Sequence, residues 1–239
     1  MTPALQAVNL TRVLPGPVPT TLVAGVDLAF AAGSFTAISG PSGSGKSSLL
    51  YLLGMLDHPT QGEVRLFGEP TAALDDEQRA RLRLERFGFV FQFHFLLPEF
   101  TVLDNVLLPM RKLGRLGTSA MRAHAMALLD ALDMASCAGK LPAALSGGQR
   151  QRAAIARALA NDPAFIMADE PTGALDTRNA AAVFAILGGL ARQGRTVIAV
   201  THDQGLAATA DRRVRLVDGR VVADDAPVAV PAGGGGGTD

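Results

Sequence analysis

At 239 residues, with 48% of them hydrophobic and 22 basic side chains balanced by 22 acidic ones, the chain is long enough to bury a sizeable core and carries no net charge. Such a balance gives no long-range positive field for a nucleic-acid backbone or an anionic bilayer, which counts against a DNA-binding role. Glycines and charges break the apolar stretches well short of the roughly 20 residues a spanning helix needs. The mean hydropathy of +0.24 therefore asks for buried strands or an apolar docking surface. Cys137 is the single cysteine, so an intramolecular disulfide is impossible and a reducing cytoplasm fits. The opening Met1-Thr2-Pro3-Ala4-Leu5-Gln6 lacks a basic leader segment, so no signal peptide is expected.

In chain order, residues 4–14 and 20–32 alternate as β segments around a turn marked by Pro15, Gly16, Pro17 and Pro19. Phe35–Ser39 is a short strand feeding a glycine-rich loop, and residues 47–53 continue as a helix. From the Gln92 region to residue 145 the pattern turns helical, with Met121, Ala125, Leu128, Leu129 and Leu132 on one face, so an inserted helical subdomain is expected at about 101–150. A helix over 147–161 follows, with Ala154, Ile155, Ala158 and Leu159 on its apolar face and Pro163 past its end. Residues 165–168 and 197–200 are apolar without alternation, which suits parallel strands covered on both faces. The expected organisation is one domain over 4–226 and a disordered glycine-rich tail over 227–239.

Three elements carry chemistry. The loop Gly40-Pro41-Ser42-Gly43-Ser44-Gly45-Lys46-Ser47, followed by Ser48, stands between a strand and a helix, as a phosphate-binding loop requires. Its glycines allow backbone N–H groups to approach phosphate oxygens, Lys46 would reach the β- and γ-phosphates, and the Ser47 hydroxyl would ligate Mg²⁺. Asp169-Glu170 closes an apolar strand, and His202 follows another, both at edges where open α/β sheets bind ligands. The third element is Leu145-Ser146-Gly147-Gly148-Gln149. Ser146 would serve as an N-cap there, but two glycines in a first helical turn cost about 1 kcal/mol each relative to alanine. Close backbone approach to an anion gives a reason to retain them.

Together with the ensuing Arg150-Gln151-Arg152, this string resembles the signature motif of ABC-type ATPases, and the resemblance spans about residues 4–224. It implies an α/β fold of the P-loop NTPase type: a RecA-like core with a mixed central sheet, an antiparallel β subdomain and the inserted helical subdomain. It implies ATP and Mg²⁺ as cofactors and a homodimer with two composite sites, in which Ser146, Gly147, Gly148 and Gln149 of one subunit close over the γ-phosphate held by the other. Asp176 would lie in the D-loop at that interface. By the same resemblance Asp169 holds Mg²⁺ through water, Glu170 accepts a proton from the attacking water, Gln92 contacts Mg²⁺ and the γ-phosphate, and His202 is the switch histidine. The family stacks an aromatic residue on adenine near the end of the first strand. Leu14 lies nearest that place here, so weakened adenine preference is expected.

The segment from Gly88 to Val106 carries the finer information. Phe91, Phe93, Phe95 and Phe100 surround Gln92, and they suit either core packing or a groove receiving a short helix from an integral membrane permease. Phe91-Gln92-Phe93-His94 followed by Leu96-Leu97-Pro98-Glu99-Phe100 is similar to the ATPases of lipoprotein-releasing transporters. A paired histidine of that group is His94-Phe95 here, and its glutamate before asparagine is Asp104. The resemblance implies a peripheral subunit at the cytoplasmic face of the inner membrane, releasing lipoproteins toward the outer membrane. Macrolide and peptide efflux ATPases, and a cell-division ATPase that controls a cell-wall hydrolase, share every catalytic residue named and stay open at this point.

Overall fold

The computed structural model describes residues 2–225, so the expected tail lies outside the described residues. Strands β1 (Leu5–Leu14), β2 (Thr20–Phe30), β4 (Gln61–Leu66) and β5 (Glu69–Pro70) form an antiparallel sheet in the order β2-β1-β4-β5. The second sheet is six-stranded, in the order β10-β9-β3-β8-β7-β6. Its members are β3 (Phe35–Ser39), β6 (Phe87–Phe91), β7 (Phe165–Asp169), β8 (Thr196–Val200), β9 (Arg212–Val217) and β10 (Arg220–Asp225). All neighbours in it pair in parallel except β9 with β10, so the sheet is mixed. Seven α-helices accompany the sheets among the described residues: α1 (Lys46–Leu53), α2 (Asp76–Arg86), α3 (Val102–Leu113), α4 (Thr118–Ala131), α5 (Gly147–Leu159), α6 (Thr177–Arg192) and α7 (Gln204–Ala207).

Every residue of β3, β7 and β8 is buried, which is why these segments are continuously apolar. Alternate side chains feed two cores. Ile166, Ala168, Val197 and Ala199 face a core built with α3 to α6, while Phe165, Met167, Ile198 and Val200 face a core shared with α1 and the antiparallel sheet. Helix α1 touches strands of both sheets, so the element that follows the glycine loop is held from two sides. The excess hydropathy is thus spent on doubly covered strands.

Element boundaries differ from expectation by a residue or two, for local reasons. β2 stops at Phe30 because the Ala31–Ser34 turn intervenes, with the Ser34 hydroxyl donating to Ala31 O at 2.7 Å. α1 starts at Lys46 because Gly45 holds a left-handed conformation as its N-cap. α5 ends at Leu159, where Ala160 N turns to Arg157 O. On the α4 face, Met121, Ala125 and Leu129 are buried, Leu132 is buried just past the helix, and Leu128 is only partly covered.

The register brings the strand ends level. Phe91 pairs with Asp169, Asp169 with Val200, and Val200 with Ile38. The residues that follow, Gln92, Glu170, Thr201-His202 and the loop after Ser39, are therefore delivered to one edge of the sheet.

Candidate nucleotide site

The loop between β3 and α1 is shaped by neighbouring backbone. A Cβ on Gly40 would lie 2.0 Å from Leu216 O, and one on Gly45 would lie 2.0 Å from Leu22 O. Those glycines are demanded by close approach to β9 and β2, a packing reason that motif spacing does not reveal. Lys46 is 8% exposed and lies back along the loop, its Nζ donating to Gly40 O at 3.0 Å and Pro41 O at 2.8 Å. A cleft here is lined by Leu22, residues 43–48 and Glu170. Leu22 was not anticipated from sequence. Leu14, at the last pair of β1 with β2, is 39% exposed.

The carboxylates sit directly across from this loop. Asp169 accepts from the Ser47 hydroxyl at 2.7 Å through Oδ1 and from the Tyr51 hydroxyl at 2.6 Å through Oδ2. Glu170 takes a left-handed backbone conformation, φ +46°, uncommon for a non-glycine residue, and its N–H donates to Val200 O at 3.1 Å. The turn aims its carboxylate at His202, whose Nδ1 donates to Glu170 Oε2 at 2.8 Å. Gln92 lies against the turn that follows: a Cβ on Gly173 would stand 2.8 Å from Gln92 Nε2. Lys46, Ser47, Asp169, Glu170 and His202 thus form one constellation, with Gln92 against the Glu170–Gly173 turn.

The signature turn is elsewhere engaged. Ser146 and Gln149 form a capping box on α5, with Gln149 N donating to Ser146 Oγ at 3.3 Å and Ser146 N to Gln149 Oε1 at 3.0 Å. Gln149 Nε2 also reaches Cys137 Sγ at 3.7 Å. Gly148 packs on Asn179, which donates from its backbone and its side chain to Asp176, each at 2.8 Å. These bonds, the backbone one foremost, hold the Asp176 carboxyl below the usual range. Among the described residues no hydrogen bond joins Ser146–Gln149 to the 40–48 loop.

The segment after β6 mixes both uses expected of its phenylalanines. Phe91 is half-buried and lines an apolar groove with Leu84, Phe89, Pro109 and Ala158, whereas Phe93 and Phe95 are 68% and 63% exposed and Phe100 is 37% exposed. The groove itself is built partly from Phe87 and Phe89, which the sequence reading did not single out. Asn105, fully buried, staples the loop by accepting from Leu97 N and donating to the carbonyls of Leu97, Phe100 and Thr101.

Residues 23–173 match the family model described as ABC transporter. The chain is 53% identical over 210 residues to the lipoprotein-releasing system ATP-binding protein LolD of Anaeromyxobacter dehalogenans, covering 87% of this chain and 88% of that protein. It is 48% identical over 205 residues to the lipoprotein-releasing system ATP-binding protein LolD 1 of Chlorobium chlorochromatii, covering 85% and 83%. Among solved structures, the dimer of MJ0796, a bacterial ABC transporter cassette, superposes with a TM-score of 0.86 at 39% identity over 93% of this chain and 98% of that one. A post-hydrolysis state of MJ0796 bound to ADP and Pi matches equally well. A glycine loop braced between two sheets, facing strand-end carboxylates, is what such likeness leads one to expect, and the chain belongs to the ABC transporter family.

Proposed function

We propose that this chain is the ATP-binding and ATP-hydrolysing subunit of a bacterial ABC transporter that releases lipoproteins from the inner membrane toward the outer membrane. The observation that carries the cargo is the 53% identity over 87% of the chain to a lipoprotein-releasing relative. The strand-edge constellation supports the hydrolysis.

Lys46, freed from the Gly40 and Pro41 carbonyls, donates to the β- and γ-phosphates, and the N–H groups of residues 43–48 cradle them at the start of α1. The donor set of Ser47 hydroxyl and Asp169 carboxylate, 2.7 Å apart, is hard and anionic and suits Mg²⁺, which takes few protein oxygens and completes its shell from phosphate and water. Ser47 and, through water, Asp169 would hold the ion, with Gln92 beside them; bound there, it supplies positive charge against the phosphate oxygens. Glu170 takes a proton from a water whose oxygen attacks the γ-phosphorus, while the bond to the bridging oxygen of ADP breaks. His202 keeps the Glu170 carboxylate oriented through its 2.8 Å bond.

The signature turn has its own capping box and, among the described residues, no hydrogen bond to the loop of the same chain, which supports action on a second copy. In the homodimer, Ser146, Gly147, Gly148 and Gln149 of one subunit close on ATP held by Lys46 and Ser47 of the other, with Asp176 at the interface. ATP favours the closed pair because only that pair contacts its γ-phosphate from both sides. The exposed Phe93, Phe95 and Phe100, beside the groove lined by Phe91, suit docking of membrane permease subunits. That docking keeps the subunit peripheral to the membrane at its cytoplasmic face.

The test is reconstitution with the membrane proteins that copurify with it, in vesicles loaded with a lipoprotein. ATP-dependent release of the lipoprotein is expected. Robust ATPase activity with no release would overturn the cargo assignment and favour a mechanical or regulatory role.

A further inference from the structure

Tyr51 stands outside every motif that the sequence singles out, yet it holds the free oxygen of the Asp169 carboxylate. Ser47 and Tyr51 are four residues apart on α1, so their side chains leave the same face of the helix. That face presents two hydroxyls to one carboxylate: Ser47 donates to Oδ1 at 2.7 Å and Tyr51 donates to Oδ2 at 2.6 Å. Asp169 is 9% exposed, and among the described residues the Tyr51 hydroxyl is the hydrogen-bond donor to Oδ2.

We propose that Tyr51 is a positioning residue of the hydrolytic site, whose hydroxyl fixes the rotation of the Asp169 carboxylate so that Oδ1 stays turned toward Ser47 and the metal. The inference rests on the reading that Ser47 and Asp169 hold Mg²⁺. The terminal torsion of an aspartate is broad, so a carboxylate held at one oxygen keeps a range of rotation about its axis, and a donor on the second oxygen narrows that range. The Tyr51 ring is itself held, edge-on to Phe91 with centroids 6.4 Å apart. Phe91 is the β6 residue paired with Asp169, so ring and carboxylate are anchored to the same strand pair. With an ordinary pKa of about 10, a tyrosine hydroxyl is protonated and able to donate at physiological pH. A tyrosine that only filled space would need none of this alignment, and the readout below separates the two roles.

The experiment uses full-length Tyr51→Phe, which keeps the ring and removes the hydroxyl. Mn²⁺ binding in the presence of a non-hydrolysable ATP analogue is followed by electron paramagnetic resonance, with trinitrophenyl-ATP binding in EDTA and a thermal melt alongside. The half-saturating Mn²⁺ concentration is expected to rise by about tenfold, the low end for loss of a partner that orients a metal ligand, while metal-free nucleotide affinity stays within about twofold. Phe91→Leu, which frees the ring and keeps the hydroxyl, is expected to raise it less than Tyr51→Phe does. Unchanged half-saturation in both variants, with Asp169→Asn raising it, would overturn the role of Tyr51. Unchanged half-saturation in Asp169→Asn and Ser47→Ala as well would overturn the metal reading beneath it.

Discussion

His202 Nδ1 and Glu170 Oε2 lie 2.8 Å apart, joining the residues that follow two adjacent parallel strands, β7 and β8. The left-handed backbone at Glu170, φ +46°, is what turns its carboxylate to that neighbour. A carboxylate held at a strand edge, in a cleft with Lys46 and Ser47, is positioned to accept a proton from water. Glu170→Gln keeps the size and the left-handed turn but removes the base. Its ATPase rate should fall by about 10² to 10⁴, while ATP binding persists and the closed dimer accumulates. Phosphate release and light scattering with ATP check this, and normal turnover would defeat the general-base role.

His94 gives a pH dependence of stability. Gln151 Nε2 donates to Phe91 O at 3.4 Å, which leaves Gln151 Oε1 to accept from His94 Nδ1. The pKa of His94 is lowered, chiefly by burial; the Gln151 bond opposes this, and the charges of Arg150 and Arg157 add to the lowering. As pH falls below about 6.5, the unfolded chain takes up this proton before the folded one. Stability contributed here is therefore fully present above about pH 6.5 and is lost as pH drops toward the folded-state value. Urea denaturation at pH 7.5, 6.5 and 5.5 should give a steeper loss for the wild type than for His94→Gln. Equal slopes would remove His94 from the account.

Leu14 sits at the exposed end of β1, where it can touch a base but cannot stack on one. The apolar side chain lining the phosphate cleft is Leu22, aliphatic like Leu14. Leu14→Tyr should lower KM for ATP by about fivefold, near the low end of aromatic stacking on a base. It should also shift the ratio of ATP to GTP turnover toward ATP. Identical discrimination in both proteins would count against weakened adenine preference.

The cluster at the strand edge was legible because its signals are local and typed. A strand, a glycine loop and a helix are contiguous from Phe35 to Leu53, and Asp169-Glu170 and His202 each follow an unbroken apolar run. Tyr51 and Leu22 were not legible, since each acts only after distant segments meet: Tyr51 is 118 residues from Asp169. The fold was read in the same uneven way. The doubly buried β3, β7 and β8 announce themselves by composition. The edge strand β10, with an exposed pattern, and α2, whose single buried residue is Arg79, have no apolar periodicity to find. One terminal nitrogen of the buried Arg79 donates to Asp57 O at 3.0 Å, while its Nε has no hydrogen-bond partner among the described residues; no spacing predicts that contact. Gly40 and Gly45 were read as opening the backbone to phosphate; the structure adds a packing reason, the carbonyls of Leu216 and Leu22.

Gly148 raises the same question of reason, and it can be answered. A Cβ there would lie 2.6 Å from Asn179 Oδ1 and 2.9 Å from Asn179 Cγ, so Gly148→Ala must displace the Asn179 side chain. That side chain donates to Asp176 Oδ2 at 2.8 Å, while the backbone N–H of Asn179 separately caps α6 through Oδ1. Displacement therefore costs the Asp176 carboxylate one donor and leaves the helix cap in place. Alanine in the first turn of α5 also gains about 1 kcal/mol of helix propensity over glycine, which offsets part of the overpacking cost. Gly148→Ala should thus stay within about 1 kcal/mol of wild-type stability, yet lose ATPase activity by tenfold or more, on the order of 1.4 kcal/mol in the barrier. Adding Asn179→Ala removes the clash, so the double variant should recover the activity of Asn179→Ala alone. Steady-state ATPase of the three variants decides the matter. A double variant clearly less active than Asn179→Ala alone would mean that the glycine is required by the phosphate approaching from the second subunit, and not by Asn179 of its own chain.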